Sequence, residues 1–301
     1  MKYAPTDADR APAPTSYRTE DRYIGYRETD SAKPWASYFT ENVSPVQEQV
    51  TDALASGRAD ERHGYGIEDA VRRMERPGYE EMETGYTRLP DGRVLVSALT
   101  RMPSVTADMW DWWFGWHGTD TSRYKLWHPE AHYFTAVGDD RSADRSLTDK
   151  QRYIDNVSYV DEYIGDDKSQ LTVRFIDPEK VGFETRPGDT TIVARGGAST
   201  APIAFAWLVH QVRATDDGCE MRSRFFVNDI QVLRLPMRSI ASRKGMPLAT
   251  PLGSLLEPLI RRAGGVEADH FGPAMLRHCG EEMNHLATFL PRLHAEFKDT
   301  H

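Results

Sequence analysis

The chain has 301 residues, 39% hydrophobic and 28% charged, enough for one large globular domain or two smaller ones with a sizeable core. A formal net charge of -9, with basic residues scattered singly or in pairs such as Arg72-Arg73 and Arg261-Arg262, lacks the massed cationic surface of a nucleic-acid binder. The two cysteines, Cys219 and Cys279, fit no metal or redox spacing, no apolar run reaches the ~20 residues of a membrane span, and the first residues carry charge and proline where a signal peptide is apolar, so a reduced, cytoplasmic protein is expected.

Residues 1 to about 40 are rich in Pro, Ser, Thr, Asp and Tyr without apolar periodicity, which predicts an arm that is loose or docks on something. Two helices follow. The first spans 44–57 (SPVQEQVTDALASG), with Ser44 and Gln47 resembling a capping box, Pro45 at the first helical position and Gly57 at the end. The second, IEDAVRRMER, stops before Pro77-Gly78. Residues 1–84 are therefore read as an amino-terminal arm and small helical region, and 85–301 as the main domain. Because the arm has little core of its own, dimerisation of two copies through it is expected.

From Gly85, two strands flank a Pro90-Asp91-Gly92 turn, a hairpin that opens the main domain. A helix starting at Thr106 or Asp108 then runs into Trp110, Trp112, Trp113, Phe114 and Trp116. Strands are expected at SQLTVRFID, TTIVARGG, PIAFAWLVHQVRAT and GCEMRSRFFVND, and a helix from about Pro273 to Phe297. These elements predict an α+β class, with a curved antiparallel sheet around the long terminal helix and a cavity between them. No glycine-rich phosphate loop or G-x-S-x-G nucleophile elbow is present.

The terminal helix carries an apolar stripe of Met275, Cys279, Leu286, Phe289 and Leu293, and Glu282 falls on it. A carboxylate pointing at a core needs a cation; Arg277 and Arg222 are the protein candidates, and a metal ion is the other. His278, one turn earlier, could share an ion with Glu282. Further ligands are on offer in YKLWHPEAHYF, where His128 and His132 are four residues apart among aromatic side chains, and in YVDEYIG, where Glu162 lies between Val160 and Ile164. Its neighbour Asp161 is read as solvated. His210 closes the apolar run AFAWLV, placing a titratable ring on a strand.

Taken in order, LPDGRVLVSALTRMPSVTADMWDWWFGWH, YKLWHPEAH, YVDEYIG and HCGEE resemble the 2,4-diacetylphloroglucinol hydrolase family, which includes phloretin hydrolase. The resemblance implies a helix-grip fold like that of the birch-pollen allergen. It implies zinc-dependent hydrolysis of the carbon–carbon bond joining an acyl group to a phenolic ring. The family's two-histidine, two-glutamate zinc site carries over to His132, Glu162, His278 and Glu282; His132 is favoured over His128 because Tyr124 stands ahead of it like a substrate-binding tyrosine of the family. His210 resembles the histidine that contacts phenolic oxygens, and His128 is assigned a supporting catalytic role. One departure stands out: where a second tyrosine is expected near RSRFF, this chain has Phe225 and Phe226, and no tyrosine follows Tyr163. Trp113, Trp116 and Phe226 are expected as substrate-pocket walls. Two other readings use the same residues: a non-catalytic carrier of hydrophobic ligands, and a metal enzyme of another class such as an oxygenase.

Overall fold

A computed structural model describes residues 13–233 and 265–300. The hairpin forms as expected, from β1 (Gly85–Arg88) and β2 (Val94–Pro103), with Gly92 at φ 88° in the turn. Helix α3 (Ala107–Trp116) begins after Thr106, and α4 (Thr121–Trp127) follows it; ahead of the hairpin lie α1 (Glu48–Ser56) and α2 (Ala70–Met74). Next come β3 (His132–Val137), β4 (Val157–Ile164), β5 (Asp167–Ile176), β6 (Thr190–Ala198), β7 (Ile203–Thr215) and β8 (Gly218–Val232). All pair antiparallel, in the order β1-β2-β8-β7-β6-β5-β4-β3. Helix α5 (Ala268–Ala287) touches β1 and β2 at one end of this order and β4 near the other, so the sheet curves around it. Gly272 permits that embrace, since a Cβ there would lie 2.3 Å from the Tyr86 ring on β1, and Gly280 lets α1 approach α5 from the other side, where a Cβ would lie 3.2 Å from Val50.

Several boundaries move, each for a local reason. Helix α1 starts at Glu48 because the Ser44 amide and hydroxyl both lie 3.0 Å from His285 Nδ1, while the Gln47 side chain bonds Arg101 O and Asn284 instead of closing a capping box. The terminal helix starts at Ala268, ahead of Pro273, and breaks at Phe289 before α6 (Leu290–Phe297). Pro291 has no N–H for the Ala287 carbonyl and would clash with it, which ends α5 there. Strands β3 and β4 were not anticipated by periodicity.

The sheet has two covered faces. On the inner face α5, α3 and α6 pack with Val96, Val160, Ile164, Phe175 and Phe225; on the outer face Tyr65, Ile67, Met74 and Met82 cover Leu95, Trp207 and Phe226. The arm docks rather than trailing free. Trp35 is buried and donates Nε1–H to Ser122 Oγ at 2.9 Å, and the Arg123 guanidinium lies over both its ring and that of Trp116, at 4.3 and 4.2 Å. Among the described residues no helix is long and apolar enough to cross a membrane. Because Trp35 joins the main core, Trp35→Ala is expected to cost about 3–5 kcal/mol in denaturant unfolding; a change below about 1 kcal/mol would mean that the arm is not part of the cooperative unit.

Candidate metal centre

Four ligand-type side chains converge between β3, β4 and α5. His132 Nε2 lies 3.4 Å from Glu162 Oε2 and 3.6 Å from Glu282 Oε2; His278 Nε2 lies 3.9 and 3.8 Å from the same two atoms. Four donors placed tetrahedrally about 2.0–2.1 Å from an ion stand about 3.3–3.4 Å apart, and these four imidazole–carboxylate separations exceed that spacing by at most about 0.6 Å. His132, Glu162 and His278 by themselves already bring ligand atoms within 4.8 Å of one another.

The backbone explains the convergence. A β-bulge separates His132 from Phe134, so that His132 pairs with Glu162 across β3 and β4, both facing inward. On α5 the stripe Met275, Cys279, Glu282, Leu286 is buried, and His278 sits a turn before Glu282. His132 Nδ1 lies 3.2 Å from the Tyr124 carbonyl, which can only accept, so the proton is on Nδ1 and the Nε2 lone pair faces the cluster. That Nε2 is buried with no hydrogen-bond partner. The His278 ring is fixed in turn by the Tyr163 backbone. Neither arginine considered from sequence reaches Glu282: Arg277 pairs with Glu281 at 3.8 Å and Arg222 with Glu83 at 2.6 Å.

The ionisation pattern is that of a site waiting for positive charge. Burial raises the Glu282 carboxyl well above its usual range, with Glu162 adding to the effect, and burial brings Glu162 to about 7. Burial also holds His132 and His278 well below the ordinary imidazole value, with neighbouring rings adding to it. Tyr124 donates to Glu162 Oε2 and stacks on His132 at 3.9 Å and 5°; burial first, then Glu162, raises its phenol well above 10.

The other residues singled out from sequence divide into near and far. His128 stacks on His278 at 4.9 Å and 15°, but its Nε2 is directed to Glu281 at 3.4 Å. His210 is buried on the inner face of β7 with Nδ1 2.8 Å from Ser223 Oγ; Ser223 also hydrogen-bonds Cys279 on α5, and burial lowers His210 to about 3. Phe225 is the inward residue beside it, edge-on at 5.7 Å, whereas Phe226 turns to the outer face and packs against Tyr65. Alternation along β8 sends adjacent side chains to opposite faces, which corrects Phe226 as a wall residue. Trp113 stacks on His117, which stacks on Tyr124 in turn, and Trp116 is engaged with Trp35, Trp112 and Phe297. Two residues escaped the sequence reading. His117 is buried in that ring column with Nδ1 2.7 Å from Trp113 O, and Asp161, expected in solvent, has a fully buried side chain. The aromatic residues at 159 and 163, on the same face as 161, were the available signal that this face is covered.

The class is thus an α+β domain with a buried two-histidine, two-carboxylate candidate metal centre. The chain belongs to the DAPG hydrolase family: residues 67–295 match the domain described as the DAPG hydrolase PhiG domain. It is 30% identical to the 2,4-diacetylphloroglucinol hydrolase of Pseudomonas protegens over 273 residues, 88% of this chain and 85% of that one. It is 26% identical to the phloretin hydrolase of Eubacterium ramulus over 284 residues, 92% and 95% of the two chains.

Replacing His132, Glu162, His278 or Glu282 by alanine is expected to abolish tight binding of a divalent ion while the fold persists, as read by elemental analysis and circular dichroism; undiminished metal in all four variants would refute the centre. The histidines are already neutral, so protons displaced by the ion come from the carboxylates. Affinity should therefore rise as pH increases through about 7, the value of Glu162. Calorimetry in buffers of different ionisation enthalpy measures this release, and its absence would mean that the two carboxyls carry no proton in the metal-free protein.

Proposed function

We propose that this chain is a zinc-dependent hydrolase that cuts the bond between an acyl carbon and a phenolic ring carbon. The observation that carries the reading is the convergence of His132, His278, Glu162 and Glu282 in a buried site, in a family whose relatives are named for hydrolysis of 2,4-diacetylphloroglucinol and phloretin. We read the sheet wrapped on a long helix as the helix-grip arrangement. A donor set of imidazoles and carboxylates without thiolate suits zinc, which needs no redox partner for a hydrolysis. A bound ion there supplies Lewis acidity toward a substrate oxygen and a water whose pKa falls toward ~7.

The chain's own groups then have defined work. Tyr124 stays protonated; its one O–H, donated to Glu162 here, is the donor that a phenolic or carbonyl oxygen would take over once Glu162 ligates the ion. His210 is a neutral imidazole, anchored through Nδ1 to Ser223, that leaves Nε2 to hydrogen-bond a phenolic hydroxyl. His128, stacked on His278 and tied to Glu281, steadies the ligand ring from outside. In the balanced reaction, hydroxide from water joins the acyl carbon and a proton ends on the ring carbon. The ring cannot leave as a carbanion, so a free ortho or para hydroxyl must first pass its proton to the acyl-bearing ring carbon as the keto tautomer; cleavage then releases the ring as a phenolate, whose oxygen takes the proton left by water. Phe225 beside His210 offers an apolar edge where the family resemblance leads one to expect a tyrosine, which favours rings that are bulkier or less polar than the diacetyl compound.

Acylphenols with free hydroxyls should yield a carboxylic acid and the deacylated phenol, fully O-methylated analogues should not react, and chelation should stop turnover until Zn²⁺ is restored. His210→Gln should lower kcat by about 10²–10⁴-fold with metal content unchanged, and Tyr124→Phe should lower it as far while also weakening the ion about 10–100-fold, because it removes the donor to Glu162. Chromatography of reactions with acetylphloroglucinols, phloretin and aryl esters decides the matter: ester cleavage without acyl–ring cleavage overturns the proposal.

A further inference from the structure

Strand β4 carries two adjacent carboxylates, Asp161 and Glu162, and alternation must send one inward and the other outward. Val160 and Ile164 share the inward face with Glu162 and belong to the main core, whereas Tyr159 and Tyr163 share the outward face with Asp161. Outward is not into water here. The Asp161 side chain is fully buried beneath the arm, and its Oδ2 accepts from Arg22 Nε and, at 3.4 Å, from Gln170 Nε2. Arg22 is tightly held: Nη2 donates to Tyr17 O at 2.5 Å, Nη1 to Glu20 O at 3.0 Å, and the guanidinium lies 4.1 Å from the Phe134 ring centroid. Phe134 and Asp161 are cross-strand partners, and the neighbouring pair in the register is His132 and Glu162, with the bulge between them. The arm's guanidinium therefore sits directly behind the inward-facing ligand pair.

We propose that Arg22 is a positioning residue for the metal centre: by neutralising buried Asp161 on the back of β3 and β4, it fixes the strand pair that presents His132 and Glu162. Without that charge, a buried carboxylate is left uncompensated, and a twist of β4 that brings it toward water carries Glu162 with it. Other arm contacts brace the same region from the side, with Lys33 Nζ 2.7 Å from Asp120 and Lys125 Nζ 3.6 Å from Asp30 on either flank of Tyr124. The inference rests on the metal reading above, but its test includes a readout that does not.

The experiment compares the wild-type chain with Arg22→Met, Asp161→Asn, the double variant and Arg22→Lys, by zinc affinity in chelator competition and by amide hydrogen exchange of β3 and β4 in metal-free protein. Arg22→Met should weaken zinc about 10–100-fold, the usual cost of losing a group that orients a ligand, and speed exchange in both strands. The double variant should recover most of both losses, because no charge is left to strand. Arg22→Lys, which keeps the charge but not the fork, guards against an Arg22→Met protein that does not fold, and should retain most of the affinity. Native affinity and exchange in Arg22→Met overturns the proposal, as does a double variant no better than the single one or an Arg22→Lys loss as deep as that of Arg22→Met. If the wild-type chain binds no zinc, the metal reading fails and exchange alone judges the brace.

Discussion

Two carboxylates, Glu162 and Glu282, are buried in the core beside the neutral imidazoles of His132 and His278, with the Tyr124 hydroxyl donating to Glu162. A buried unpaired carboxylate surrenders its hydration, and a second one nearby makes each harder to ionise. The basic side chains near α5 are committed elsewhere, Arg277 to Glu281 and Arg222 to Glu83. The architecture around the pair follows from that problem: a bulge that turns His132 inward, a tyrosine carbonyl that fixes its tautomer, and a helix whose apolar stripe is interrupted at one carboxylate.

The constraint is met from three directions. Strands β3 and β4 bring one histidine and one glutamate as a cross-strand pair, α5 brings the other two at helical spacing, and Tyr124 closes the side against His132. Each contributor is fixed by different physics, so no single local rearrangement moves all four groups together. The ring column running from His132 through Tyr124 and His117 to Trp113 ties this corner to the tryptophan-rich α3.

Much of this was legible in the amino-acid order, and the gaps have physical causes. The terminal helix announced Glu282 because a charged residue interrupts an apolar period of 3.6, and the hairpin announced itself through Pro90-Asp91-Gly92. Strands β3 and β4 were silent because they are covered on both faces: His132 and Glu162 face the core and Asp161 faces the arm, so polar and apolar residues fall on both sides and no period of two appears. Asp161 was misjudged for the same reason, since its cover comes from Arg22, 139 residues away in the chain. Phe225 and Phe226 could not be told apart until the register of β8 against β2 was fixed, with Leu95 opposite Phe226 and Val96 opposite Phe225. The Ser44 capping box failed because His285, far along the sequence, competes for the same serine.

The early and late parts of the chain meet. Trp35 packs edge-on against Phe297 at 6.2 Å, and the Tyr38 hydroxyl donates to Glu296 at 2.7 Å. Such contacts give the fold a high contact order, and folding slows as loop closure must precede reward. A growing chain emerging from the ribosome would hold a nearly complete sheet whose inner face is covered only by α3 until α5 and α6 follow, and Trp35, already beside Ser122 and Trp116, would lack Phe297 until then. Nascent chains of this protein should therefore pass through a sticky, chaperone-dependent interval that ends abruptly with the last two helices.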